Sequence, residues 1–95
     1  MRRIVPQPFP DSRMTATADI GAAIRAARTQ AALGVREAAL MLGVAIQTLS
    51  DIEAGKPGVG LGNVLKVAEG LGVDLFAFPK RNRSIVEHRL AGLQS

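Results

Sequence analysis

The chain contains no cysteine. Disulfides, thiol catalysis and cysteine-based zinc sites are therefore excluded, and a reducing, cytoplasmic setting is expected. Tryptophan and tyrosine are also missing, and only three phenylalanines occur. An interior poor in aromatics but rich in alanine points to closely packed helices rather than a sheet-rich core. No apolar run approaches the roughly 20 residues that a membrane-spanning helix needs. Pro6, Pro8 and Pro10 follow Arg2 and Arg3 before any apolar stretch develops, so no signal peptide is expected.

Groupings that do chemistry are scarce as well. His88 is the only histidine and lies in a basic tail, where a surface role is expected rather than a metal site or a general base. The carboxylates form no close pair in an apolar setting. Gly58-x-Gly60-x-Gly62 lacks the strand before it and the Lys-Ser/Thr after it that a phosphate loop requires, so it is expected to be a link between helices. Ser50 has no base partner in the sequence for nucleophilic work. No catalytic residue, cofactor or metal is expected, and the protein is read as a non-enzyme.

What is present is one small domain of 95 residues with a net charge of +4. A domain of this size has little core to spare, which makes dimerisation a reasonable expectation. The charge is uneven: residues 1–18 carry +2, residues 19–78 carry −1, and residues 79–95 carry +3. The basic excess thus lies on two ends, which are either solubilising tails or arms that touch an anionic partner. Residues 1–15 read as a flexible, proline-rich arm, 16–78 as the folded domain, and 79–95 as a basic tail.

Helical periodicity dominates the middle. Thr17 or Asp19 can cap a first helix, along which Ile20, Ala23, Ile24, Ala27 and Ala31 recur at helical spacing. Gly34 is expected to end it, with Leu33 turned inward. A short helix over roughly Val35 to Leu42 stops at Gly43, where a left-handed corner suits glycine. A third helix follows over about Ile46 to Ala54. With Leu49 at the centre of its inner face, Ile46 and Ile52 flank it, and Gln47 and Asp51 point out beside Thr48 and Ser50. Leu61, Val64, Leu65, Ala68 and Leu71 mark a fourth helix. Gly70 inside it costs about 1 kcal/mol relative to alanine and suggests close packing. Val73-Asp74-Leu75-Phe76-Ala77-Phe78, bounded by Gly72 and Pro79, reads as a strand. With no second strand in the chain, it either pairs with the same strand of a second copy or packs as an extended segment on the helices. Ile85, Val86, Leu90 and Leu93 can line one side of a last small helix.

Gly43-Val44-Ala45, Leu49-Ser50, Glu53 and Gly55 stand at the spacing of the Xre-type (phage Cro-like) helix-turn-helix pattern, and the segment resembles that family. The resemblance extends from about Asp19 to Phe78. Its second half, Gly55-Lys56-Pro57 with Leu61-Gly62-x-Val64-Leu65-x-Val67 and Leu71-Gly72-x-x-Leu75, looks like the HipB branch, whose members are antitoxins of HipA-type Ser/Thr kinases. The fold this implies is mainly all-α. It is a four- to five-helix lambda-repressor-like domain with a short C-terminal strand, Val73, Leu75, Phe76, Ala77 and Phe78, pairing across a homodimer.

The resemblance also implies roles. Arg28 and Glu53 occupy the places of a semi-buried ion pair that clamps the first helix to the recognition helix; solvated charges on separate faces are the alternative. Gln47 and Thr48 would face base edges, Ser50 would donate to DNA, and Lys56 would meet a phosphate. Several positions depart from the family pattern. Gly34-Val35 stands where Thr-Gln is common, Ala45 where Ser is usual, and Ile46 where many relatives carry a polar residue. Asp51 points a negative charge toward DNA unless a cytosine amino group receives it. Arg36 can replace the missing Gln as a phosphate contact, and the arms can supply more. The expected function is a DNA-binding antitoxin that represses its own operon at a pseudo-palindromic site and neutralises a HipA-like kinase. A stand-alone repressor without a toxin partner is the alternative.

Overall fold

The protein is described by a computed structural model covering residues 3–94. Five α-helices occur among the described residues: α1 (Thr17–Gln30), α2 (Val35–Leu42), α3 (Ile46–Glu53), α4 (Leu61–Gly70) and α5 (Arg83–Gln94). A 3-10 turn at Lys80–Asn82 leads into α5. The core is built by the first four helices. Ile24 of α1, Ala38 and Ala39 of α2, Leu49 and Ile52 of α3, and Val67 and Ala68 of α4 form one buried cluster. Alanine at three of these places lets the helices approach closely, in keeping with the scarcity of aromatics. Gly21 takes this furthest: a methyl there would overlap the carbonyl oxygen of Ile52 and stand 2.8 Å from that of Glu53. At Gly70 of α4 the neighbour is a side chain instead: a methyl there would overlap a terminal carbon of Leu42.

The helix ends share one device. The N–H groups of Leu33, Val44, Lys56 and Val73 return to the carbonyls of Arg28, Ala39, Asp51 and Ala68 at 2.8–3.2 Å. Such a reversal needs a left-handed residue just before the returning N–H. Gly43 (φ 72°) and Gly55 (φ 76°) supply it after α2 and α3. After α1 it is supplied by Ala32 at φ 59°, the one non-glycine with positive φ among the described residues. Gly34, expected to end α1, instead has φ −74° and serves as the N-cap of α2. Burial of Leu33 against the core decides this. The residue that donates the returning bond is also the one that turns inward, so the left-handed position falls on 32.

At its other end α1 is capped by Asp19 from within the first turn. Its Oδ2 accepts from the N–H groups of Thr15 and Ala16, each at 2.9 Å, and from the Thr15 hydroxyl at 3.1 Å. Thr17 does not cap: its hydroxyl donates to Gly55 O at 2.6 Å and so ties the start of α1 to the end of α3.

The structure bears on three expectations outside the helical body. Residues 73–79 have no regular secondary structure, and no strand occurs among the described residues. Val73 packs against the core, while Leu75, Phe76 and Phe78 are 40%, 78% and 45% exposed. A single strand has no ladder partner within one chain, and Phe9, Met14 and Leu90 border this segment with side chains. The N-terminal arm, expected to be flexible, meets the end of α1. Gln7 N–H donates to Thr29 Oγ1 and Gln30 Nε2 donates to Gln7 O, both at 2.8 Å. The last helix forms, but its apolar stripe is split: Val86 and Leu90 are half-buried, whereas Ile85 and Leu93 are exposed.

Candidate nucleic-acid interface

α3 is short, and eight residues of helix have marginal stability alone. Its orientation comes from what grips it. On its inner side Leu49 is fully buried and Ile52 nearly so. At its end, Glu53 accepts from Arg28 twice, from Nε at 2.6 Å and Nη2 at 2.8 Å. The side chains of this pair are 8% and 3% exposed. Arg28 Nη1 also donates to Leu33 O at 2.7 Å, so one guanidinium joins the α1 end to α3. Arg25 adds a looser, exposed contact to the same carboxylate at 3.4 Å. Gly55 sits where a methyl would clash with the backbone of Ala18. These contacts fix the C-terminal end of α3 along α1, from Ala18 near its start to Arg28 near its end.

With that end fixed, the opposite face is determined. Ala45, Ile46 and Gln47 are exposed, and Thr48, Ser50 and Asp51 are half-exposed. Ile46 departs from its expected inner position: at the first residue of α3, it is 40% exposed. Among the described residues, the side chains of Arg36, Thr48 and Ser50 engage no hydrogen-bond or ionic partner. Arg36 lies on the first turn of α2, exposed.

Gln47, Asp51 and Lys56 are joined. Gln47 Nε2 donates to Asp51 Oδ1 at 2.8 Å, and Lys56 Nζ lies 3.2 Å from the same oxygen. The amide of Gln47, followed by Lys56, holds the Asp51 carboxyl below the ordinary aspartate range. Beyond it, Thr48, Asp51, Lys56, Val59 and Asn63 border an open cleft of ≈ 530 Å³ between α3 and the start of α4. Asn63 was not singled out from sequence: its place beside α3 depends on the path of the Gly58–Gly60 loop, which has no periodicity to read. Lys66, also unremarked, donates to Gly43 O at 3.2 Å and braces the corner between α2 and α3.

A short helix, a left-handed glycine corner, and a second short helix with a polar outward face make up a helix-turn-helix unit. Residues 24–78 match the family model described as Helix-turn-helix. An uncharacterized HTH-type transcriptional regulator, y4mF, from Sinorhizobium fredii (strain NBRC 101917 / NGR234) is 38% identical over 73 residues, covering 75% of this chain and 96% of that protein. The chain belongs to the helix-turn-helix family. Both matches concern that class as a whole, and neither assigns the HipB branch.

Proposed function

We propose that the protein is a sequence-specific DNA-binding transcriptional regulator that acts without catalysis. The observation that carries this is the mounting of α3. Its buried face is locked to α1 through Leu49, Ile52 and Glu53 while Gln47, Thr48 and Ser50 face outward. An α-helix held in that way fits the major groove, where Gln bonds adenine in two places and Thr meets a base or a thymine methyl. Exposed Ile46 offers a second apolar contact to thymine methyls. Arg36 and Lys56 lie at the two ends of the unit, where phosphates flank a groove-bound helix. The relative from Sinorhizobium fredii, described as a transcriptional regulator, supports the same reading.

A dimer is part of the proposal. Leu75, Phe76 and Phe78 leave apolar surface exposed beside the folded body, and such surface commonly marks a protein contact. Two copies joined through residues 73–78 would present recognition helices to half-sites about 34 Å apart. Repression of the protein's own operon follows from such a dimer if the operator overlaps its promoter. The antitoxin role rests on the sequence resemblance alone; a stand-alone repressor accounts equally well for the interface.

A mobility-shift assay on an operator selected from random duplexes tests the reading. Gln47→Ala and Ser50→Ala should each weaken operator binding, Gln47→Ala by about ten-fold or more, consistent with a cost of 1–3 kcal/mol for a lost bidentate base contact. Unchanged binding by both variants would remove α3 from the interface.

A further inference from the structure

The outward face of α3 carries one carboxylate among groups suited to duplex DNA, and that carboxylate is engaged. Gln47 and Asp51 are four residues apart, so the helix stacks them on one face. Lys56 follows the helix end, and its N–H bonds Asp51 O at 3.0 Å, folding the chain back over the same residue. The left-handed turn at Gly55 makes that return possible. A single oxygen, Asp51 Oδ1, therefore holds both an amide placed to read a base and an ammonium placed to meet a phosphate.

We infer that Asp51 is a specificity filter: unbound, it occupies Gln47 and Lys56, and it releases them only on a duplex that offers a base amino group in their place. The inference rests on the DNA-reading function proposed above. Cytosine N4 and adenine N6 are the major-groove donors that meet the requirement. Opposite either of them the carboxylate gains a partner, Lys56 moves to a phosphate, and the Gln47 amide turns to its own base. Opposite guanine or thymine the carboxylate faces acceptor atoms or a methyl group, and Lys56 stays with Asp51. The helical body, at −1 between residues 19 and 78, holds little positive charge to mask that penalty. Non-specific binding is thereby suppressed more than specific binding.

The test compares the full chain with Asp51→Asn, which keeps an acceptor for Gln47 and the side-chain shape but removes the charge that retains Lys56. Two probes are used, an operator selected from random duplexes by the unmodified protein and a scrambled duplex of the same length. Asp51→Asn should bind the scrambled duplex about ten-fold more tightly, and its salt slope there should steepen by about 0.9, the contribution of one added phosphate contact. The ratio of operator to scrambled affinity should fall. Asp51→Ser should act in the same direction, and adding Lys56→Ala to Asp51→Asn should abolish the gain. An unchanged slope and ratio in both Asp51 variants, with the unmodified protein still preferring its operator, would overturn the filter alone. An unmodified protein that binds no duplex would overturn the DNA-reading function and the filter together.

Discussion

Glu53 gathers three polar contacts at the end of α3. It accepts both Arg28 bonds inside the protein and a third contact from Arg25 at the surface. Removing either member of the inner pair leaves a buried charge uncompensated, so Glu53→Ala or Arg28→Ala should cost about 3–5 kcal/mol in denaturant unfolding. Arg25→Ala, by contrast, should cost at most a few tenths, as an exposed pair does. Asp19 gives a pH-dependent expectation. The Thr15 N–H, then the Ala16 N–H and the Thr15 hydroxyl, hold its carboxyl below the ordinary 3.8. A lowered folded-state value means stability that is fully present above 3.8 and lost as the pH falls through the lowered value. Asp19→Ala should therefore be less stable than the unmodified protein at neutral pH, and the gap should close below 3.8. Melting curves across pH 2–7 check this (roughly the span over which an aspartate titrates).

At the scale of elements, the helices were largely legible because their apolar residues repeat at helical spacing. Val35–Leu42 and the start of α3 at Ile46 lie where that spacing and Gly43 place them. The end of α1 was less legible. Local chemistry favours glycine at a left-handed position, which pointed to Gly34; tertiary burial of Leu33 moved the position to Ala32. The strain this imposes is testable. A left-handed alanine costs about 1–2 kcal/mol, partly offset by the extra unfolded-state freedom of glycine. Ala32→Gly should raise stability by roughly 0.5–1 kcal/mol in denaturant unfolding; a loss would mean that the Ala32 methyl contributes packing. The strand expected at residues 73–78 shows the limit of pattern reading. A short apolar run bounded by Gly72 and Pro79 has the composition of a strand, but a strand exists only with a partner.

Over the whole molecule, the two basic ends differ in how they attach. The arm is bonded to α1 at Gln7, Thr29 and Gln30 and borders the 73–78 segment through Phe9 and Met14. Of the arm's arginines, Arg2 lies outside the described residues. Arg3 and Arg13 are exposed. Deleting residues 1–15 should do two things at once. The melting temperature should drop as Thr29 loses its arm partner, and the salt dependence of operator binding should flatten by about 0.9 for each arginine that met a phosphate. A lower melting temperature with an unchanged salt slope would make the arm a structural strap and leave DNA contact to the helical body. The tail carries its basic excess on the Lys80–Asn82 turn and α5, where Ile85 and Leu93 are exposed.

The sequence alone determined the helical class, the glycine corner at Gly43, and which side chains of α3 are polar, because these follow from local propensity and from a 3.6-residue repeat carried by the chain itself. It could suggest Arg28 with Glu53 only by resemblance, since a pair 25 residues apart has no local signature. The tertiary structure decided how the guanidinium bridges α1 and α3, where the left-handed residue after α1 falls, that the arm lies on Thr29, and that Asp51 gathers Gln47 and Lys56 onto one oxygen. Each of these depends on atoms brought together by packing, and no spacing along a single element encodes that.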